Sequence, residues 1–229
     1  MRKALVAILV AMALPVAGTA GAGSTHAAAG SNATATPAAR SGNDTVAVIG
    51  DSLTYQGGTG RALISDQIGR SGHGGGGIYF WAVGGKRLTE PDSAGMTTMD
   101  NIRAARSQLG HVDLWVMALG TNNRVDDPAV VRRDVDTVLT ALRGDRFVWI
   151  GLGFYEWRHR VAIRMNSILT EAVATKADGT VAAWDDWIHD PVRASEANWT
   201  YPRDLIHMTS QGYVLRNEFY GRMVDSFSR

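Results

Sequence analysis

Ser52 stands in the run Gly50, Asp51, Ser52, Leu53, Thr54, one step past the apolar stretch 45–49. A hydroxyl on such a turn projects above the edge of a sheet. Its own N–H lies near a helix N-terminus, where negative charge is favoured. A serine so placed can attack a carbonyl once a base takes its proton. The residue types allow a second use, because Asp and Ser are both common helix N-caps. Ser52 alone does not decide between the two.

The base has to be a histidine, and the chain holds six. His26 falls in a low-complexity leader, and His111 precedes a strand and so faces the opposite end of the sheet. His73 sits in the glycine run 72–77, with nothing to support a ligand there. His159 lies between Arg158 and Arg160 and is expected to be solvated. His189 and His207 remain, and each follows an aspartate by three residues, Asp186 and Asp204. A serine's base needs a carboxylate to fix its tautomer and stabilise the imidazolium. Spacing leaves both pairs open. Context favours His207, because Met208, Thr209, Ser210, Gln211 and Gly212 read as a capping sequence that opens the final helix. His189 runs on into Asp190, Pro191 and further loop.

These residues need a scaffold that gathers them. Short runs at 45–49, 78–83, 112–119, 146–150 and 180–184 are β-branched or aromatic and apolar on both faces, as expected of parallel strands covered on both sides. Helical periodicity lies between and after them, near 59–70, 97–109, 129–143, 161–177 and 210–226. Pro128 suits a first helical turn, and Gly144 a position just past a helix end. The alternation predicts an α/β fold, a flavodoxin-like three-layer α/β/α sandwich on a parallel sheet of about five strands. In such sheets ligands bind beyond the carboxyl ends of the strands. Chemistry is therefore expected from 50–54, 84–88, 120–124, 151–157 and 185–207.

Three motifs taken in order, Gly50-Asp51-Ser52-Leu53, Gly120-Thr121-Asn122-Asn123 and Asp204-x-x-His207, resemble those of the SGNH hydrolases, also called GDSL esterases. The resemblance spans nearly the whole of 44–229. It implies Ser52 as nucleophile, His207 as base and Asp204 as its orienting partner. It also implies an oxyanion hole made of the Ser52 N–H, the N–H of a glycine after the second strand, and the Asn122 amide. Family spacing favours Gly85 over Gly84 for that glycine. Asp185 matches a position that is usually structural. Physical reasons run beside these implications. A tetrahedral oxyanion needs donors aimed at an oxygen that gains charge, and one such donor is worth about 2.7–4 kcal/mol. Asn122 and Asn123 also suit an ordinary turn after glycine. Many family members carry Asp after the oxyanion Asn, where this chain has Asn123, so substrates transfer less safely by analogy.

Arg2 and Lys3 precede the apolar run 4–14, with small residues after Pro15. The run is shorter than the ~20 residues that span a bilayer, and 1–29 reads as a secretory signal peptide. The stretch 30–43 is expected to be a flexible leader, since Gly, Ala, Ser, Thr and Asn offer little to bury. Without Arg2, Lys3 and Arg40, 20 basic side chains face 22 acidic ones, a net charge of −2. No basic stripe with interleaved aromatics points to nucleic acid. The absence of cysteine excludes disulfides, a thiol nucleophile and a Cys-based zinc site. The motifs call for no cofactor and no metal.

The expectation is a secreted serine esterase that removes acetyl or short acyl groups from a carbohydrate or lipid. An O-acyltransferase acting on a cell-envelope glycan is the alternative, and a non-catalytic envelope-binding module the second. Lys86, Arg87 and Arg124 follow two of the oxyanion segments and could gather an anionic substrate or form a solvated surface. Trp157, Trp187 and Trp199 fall on loops at the functional edge, where indole can stack on sugar rings or simply pack. Trp81, Trp115 and Trp149 lie within strands and read as core. No apolar lid insertion separates the motifs, which argues against a triglyceride lipase.

Overall fold

The computed structural model describes residues 43–55, 59–70, 74–190 and 204–227. The expected signal peptide 1–29 and nearly all of the leader 30–43, as well as His26, His73 and Trp199, lie outside the described residues. Five strands form one parallel sheet: β1 (Thr45–Gly50), β2 (Gly77–Ala82), β3 (Leu114–Ala118), β4 (Phe147–Ile150) and β5 (Gly179–Ala182), in the order β2-β1-β3-β4-β5. Among the described residues seven α-helices accompany them: α1 (Ser52–Tyr55), α2 (Thr59–Arg70), α3 (Thr98–Leu109), α4 (Pro128–Ala141), α5 (His159–Val173), α6 (Trp184–Ile188) and α7 (Ser210–Phe227). The flavodoxin-like α/β/α sandwich is as expected.

Alternation along the strands splits the core in two. Ala47, Ile49, Trp115, Met117, Phe147 and Trp149 face one side, packed on α3, α4 and α5. Val46, Val48, Leu114, Val116, Val148 and Ile150 face the other, packed on α1, α2, α6 and α7. Side chains of one strand point to opposite faces by turns, so a strand apolar at every position is buried on both. Trp115 and Trp149 are wholly buried, while Trp81 is only partly so.

Helix ends follow local chemistry. Thr97 and Asp100 form a capping box on α3. Asp127 caps α4, with Pro128 at its first position. The expected helix 129–143 stops at Ala141, because Leu142 to Asp145 close a turn and Gly144 takes φ +84°. The expected helix 161–177 starts earlier, at His159, and stops at Val173. Thr175 turns its hydroxyl back onto the Ala172 carbonyl there. The short helix α6 has no counterpart in the sequence expectations.

The connection from β1 crosses to β2 on one side, and β3 to β5 continue on the other. The reversal lies between β1 and β3, where such sheets open a crevice at their carboxyl ends. Gly50 ends β1 there, Ala82 ends β2 and Ala118 ends β3, all in register. No helix among the described residues is long and apolar enough to cross a membrane.

Candidate active site

The turn after β1 answers the question its residue types left open. Asp51 is the capping residue: its Oδ1 accepts from Leu53 N–H at 3.0 Å, and its carbonyl from Thr54 N–H. Ser52 therefore opens α1 with its hydroxyl uncommitted to a cap. Gly50 is required by close approach, since a Cβ there would lie 2.4 Å from the Thr54 hydroxyl. The turn is fixed to its neighbours by Asp51 N–H to the Ala118 carbonyl and Val83 N–H to the Gly50 carbonyl.

Ser52, Asp204 and His207 come together across 155 residues of chain. His207 Nε2 lies 3.1 Å from Ser52 Oγ, and its Nδ1 lies 2.7 Å from Asp204 Oδ2. The other carboxylate oxygen, Oδ1, accepts from the N–H groups of Ile206 and His207, both at 2.9 Å. Partial burial pushes the Asp204 carboxyl up, but hydrogen bonds from Ile206 N–H and from the ring and N–H of His207 outweigh it, leaving it below the usual range. Asp204 is thus held as a carboxylate against the imidazole. Past His207, Met208 is buried and Thr209 caps α7, its Oγ1 accepting from Gly212 N–H. The capping sequence does what it was expected to do.

The loop bearing this pair holds a strained residue that the sequence did not announce. Leu205 has φ +58°, a region costly for a side chain branched like leucine's. It is buried, and its carbonyl accepts from Tyr155 N–H at 3.3 Å. The segment after β4 thereby braces the 204–207 loop. No sequence signal identifies Tyr155 for this role, because this contact is made by its backbone N–H.

The expected oxyanion segments, after β2 and β3, meet each other at the carboxyl edge. Gly85 is the third residue of a turn closed by Lys86 N–H to the Val83 carbonyl, and has φ +74°. Glycine adopts that backbone without the Cβ penalty. Gly84 has an ordinary φ, so the doubled glycine resolves into one with a backbone need for glycine and one without. Asn122 Nδ2 donates to the Lys86 carbonyl at 3.1 Å, and Asn123 Oδ1 accepts from Leu88 N–H. Asn123 thus ties the β3 loop to the β2 loop without a charge. An amide NH2 has two hydrogens, so Asn122 keeps one donor beyond its bond to Lys86.

Beneath the turn lies a buried polar layer. Asp51 and Thr54 are wholly inaccessible, and Tyr220 Oη lies 3.2 Å from the Thr54 hydroxyl. The Arg216 guanidinium stacks on the Tyr220 ring at 5.2 Å. Burial pushes the Asp51 carboxyl up and the nearby Arg216 charge opposes this.

Three expectations need correction. Lys86 does not belong to a cationic mouth: it is wholly buried and ion-paired with Asp92, which is also buried. Its six-residue-distant partner closes the 86–92 loop over it. Arg87 pairs with Glu90, so of these three cations Arg124 alone is exposed. Of the two uses left open for Trp187, packing is the one found, since it stacks on Trp184 and against Phe219. His159 is not simply solvated: its Nε2 lies 2.7 Å from Asp185 Oδ2 and its ring stacks on His189. His189 in turn bonds Asp185, not the Asp186 three residues before it. Trp157 remains 57% exposed at the carboxyl edge, with Arg158 stacked on it. His111 is exposed beside Asp113 at the opposite end.

No protein-family model matches this sequence, and no curated protein does. Solved structures match it in fold. A lipase/acylhydrolase from Enterococcus faecalis aligns with TM-score 0.58 at 15% identity, over 80% of this chain and 96% of that one. A candidate SGNH hydrolase from Slackia heliotrinireducens aligns at 0.56 and 17%, over 81% and 99%. The catalytic domain of peptidoglycan O-acetyltransferase A from Streptococcus pneumoniae aligns at 0.56 and 13%, over 80% and 91%. The chain has the SGNH hydrolase fold. It places Ser52, Gly85, Asn122 and the Asp204–His207 pair at one carboxyl edge of that fold.

Proposed function

We propose that this chain is a serine esterase acting through an acyl-enzyme on Ser52. The observation that carries the reading is the unbroken relay Ser52 Oγ, His207 Nε2, His207 Nδ1, Asp204 Oδ2, at 3.1 and 2.7 Å. Ser52 Oγ attacks the ester carbonyl as its proton passes to His207 Nε2. Asp204 steadies the imidazolium. The Ser52 N–H, the Gly85 N–H and the Asn122 amide receive the developing oxyanion. Collapse expels the alcohol, which takes its proton from His207. Water, giving a proton to the same His207, then attacks the acyl carbonyl on Ser52; the bond to Ser52 Oγ breaks, Ser52 takes the proton back from His207, and the acid leaves.

Acetyl or short acyl groups on a carbohydrate or lipid are the substrates we favour. The exposed indole of Trp157 supports a polar carrier such as a sugar ring. An acetyl esterase is among the structures alike in fold. The pneumococcal O-acetyltransferase supports one second reading, in which a glycan hydroxyl takes the place of water. The run 4–14 after Arg2 and Lys3 supports export from the cell. The test is hydrolysis of p-nitrophenyl acetate together with labelling by a fluorophosphonate probe. Both are expected of the native chain and neither of Ser52→Ala. Unchanged turnover in Ser52→Ala would overturn the proposal, and product gain on adding a sugar acceptor would favour transfer over hydrolysis.

A further inference from the structure

A second cluster of titratable side chains lies after β4 and β5 and takes no part in the relay. His159 opens α5, while Asp185 in α6 and His189 at its C-cap stand one turn apart and so share a face. We infer that His159, Asp185 and His189 form a binding site for a divalent transition cation, of which zinc fits best.

The donor set points to that class. Two imidazoles and one carboxylate suit zinc and its neighbours, whereas calcium and magnesium call for oxygen alone. One ligand atom from each residue lies within 4.8 Å of the other two. Asp185 is buried, at 7% exposure, yet its Oδ1 accepts no hydrogen bond. That oxygen lies 3.2 Å from His189 Nδ1, which bonds instead to the Asp185 backbone carbonyl at 2.9 Å.

The rings themselves have room to respond. They stack with centroids 4.3 Å apart and planes at 24°, and their side chains are 35% and 30% exposed. Rotation about the outer side-chain bonds can turn a nitrogen of each ring toward the Asp185 carboxylate, within the 4.8 Å that already separates the three ligand atoms. A cation there replaces the hydrogen bond between His159 Nε2 and Asp185 Oδ2, and water completes its coordination. Bound, it clips the start of α5 to α6, and so fixes the element from which the chain departs toward Asp204 and His207.

The test uses the full chain after EDTA treatment and dialysis, titrated with zinc chloride by calorimetry and followed by thermal melting. One zinc per chain is expected, with a melting midpoint that rises with zinc concentration. His159→Gln and His189→Gln should each weaken binding by more than the roughly tenfold that loss of an outer-shell partner costs. His207→Gln should leave binding intact. Absence of binding by the native chain, equal binding by His159→Gln and His189→Gln, or loss of binding in His207→Gln would each overturn the site. Should the two variants fail to fold, proton NMR of the native chain decides. Cobalt(II) must broaden the ring protons of His159 and His189 before those of His207, and the opposite order rejects the inference.

Discussion

Two histidine–carboxylate clusters stand at the same edge of one sheet, and only one of them touches a nucleophile. In the first, His207 spans from Asp204 to Ser52, with one ring nitrogen for each. In the second, Asp185 holds two imidazoles that stack on each other, and among the described residues no hydroxyl is bonded to them. The burial pattern is inverted as well. Asp204 is 44% exposed at the side chain and Asp185 only 10%, so the carboxylate of the first is reached by solvent and that of the second is enclosed. A histidine near an aspartate is therefore not a dyad by virtue of the pairing. What makes one is the third group, and here the third group is delivered by β1, more than 150 residues away.

Exchanging the histidines breaks the comparison most directly. His207→Ala should lower kcat/KM on p-nitrophenyl acetate by about 10³ or more, the scale of losing a base that acts as a unit with its serine. His189→Ala should keep most of it, and the reverse result would sink the assignment of the two clusters. A smaller effect sharpens the same contrast. The first cluster has a polar side chain from a third strand beside it, and Asn122→Ala should cost about 2.7–4 kcal/mol in kcat, with KM little changed. A loss confined to KM would instead make Asn122 a ground-state contact.

The contrast also shows which parts of the molecule could be read beforehand. The five strands were legible because runs such as 146–150 are apolar on both faces, and only a doubly covered strand demands that. The site was legible because its motifs follow strand ends, where the topology brings them together. Short-range spacing misled at α6: the three-residue interval from Asp186 to His189 looked like a pair, yet one helical turn puts Asp185, four back, beneath the ring. The His159–Asp185 contact joins positions 26 apart on two elements and left no local trace. Lys86 misled for a related reason. Lysine is almost never wholly buried without a partner, and the partner, Asp92, becomes visible only once the loop is closed.

The weakest expected effect is also the one that separates the acids by sign. Hydrogen bonds hold the Asp204 carboxyl below its ordinary range, so its contribution to folding is present above the unfolded value of about 3.9 and is lost as pH falls through the lower folded one. Asp51 runs the other way. Burial raises its carboxyl, so folding opposes its ionisation as pH climbs. The native chain should accordingly melt above Asp204→Asn at neutral pH, and the gap should close as the pH is brought below 3.9. With Asp204 nearly half exposed, water screens the interaction and the neutral gap is under about 1 kcal/mol. Paired melting curves at pH 7 and in strong acid measure it. A gap that persists unchanged in acid would mean that Asp204 stabilises its loop by shape, through the turn at Leu205, and not by the charge that faces His207.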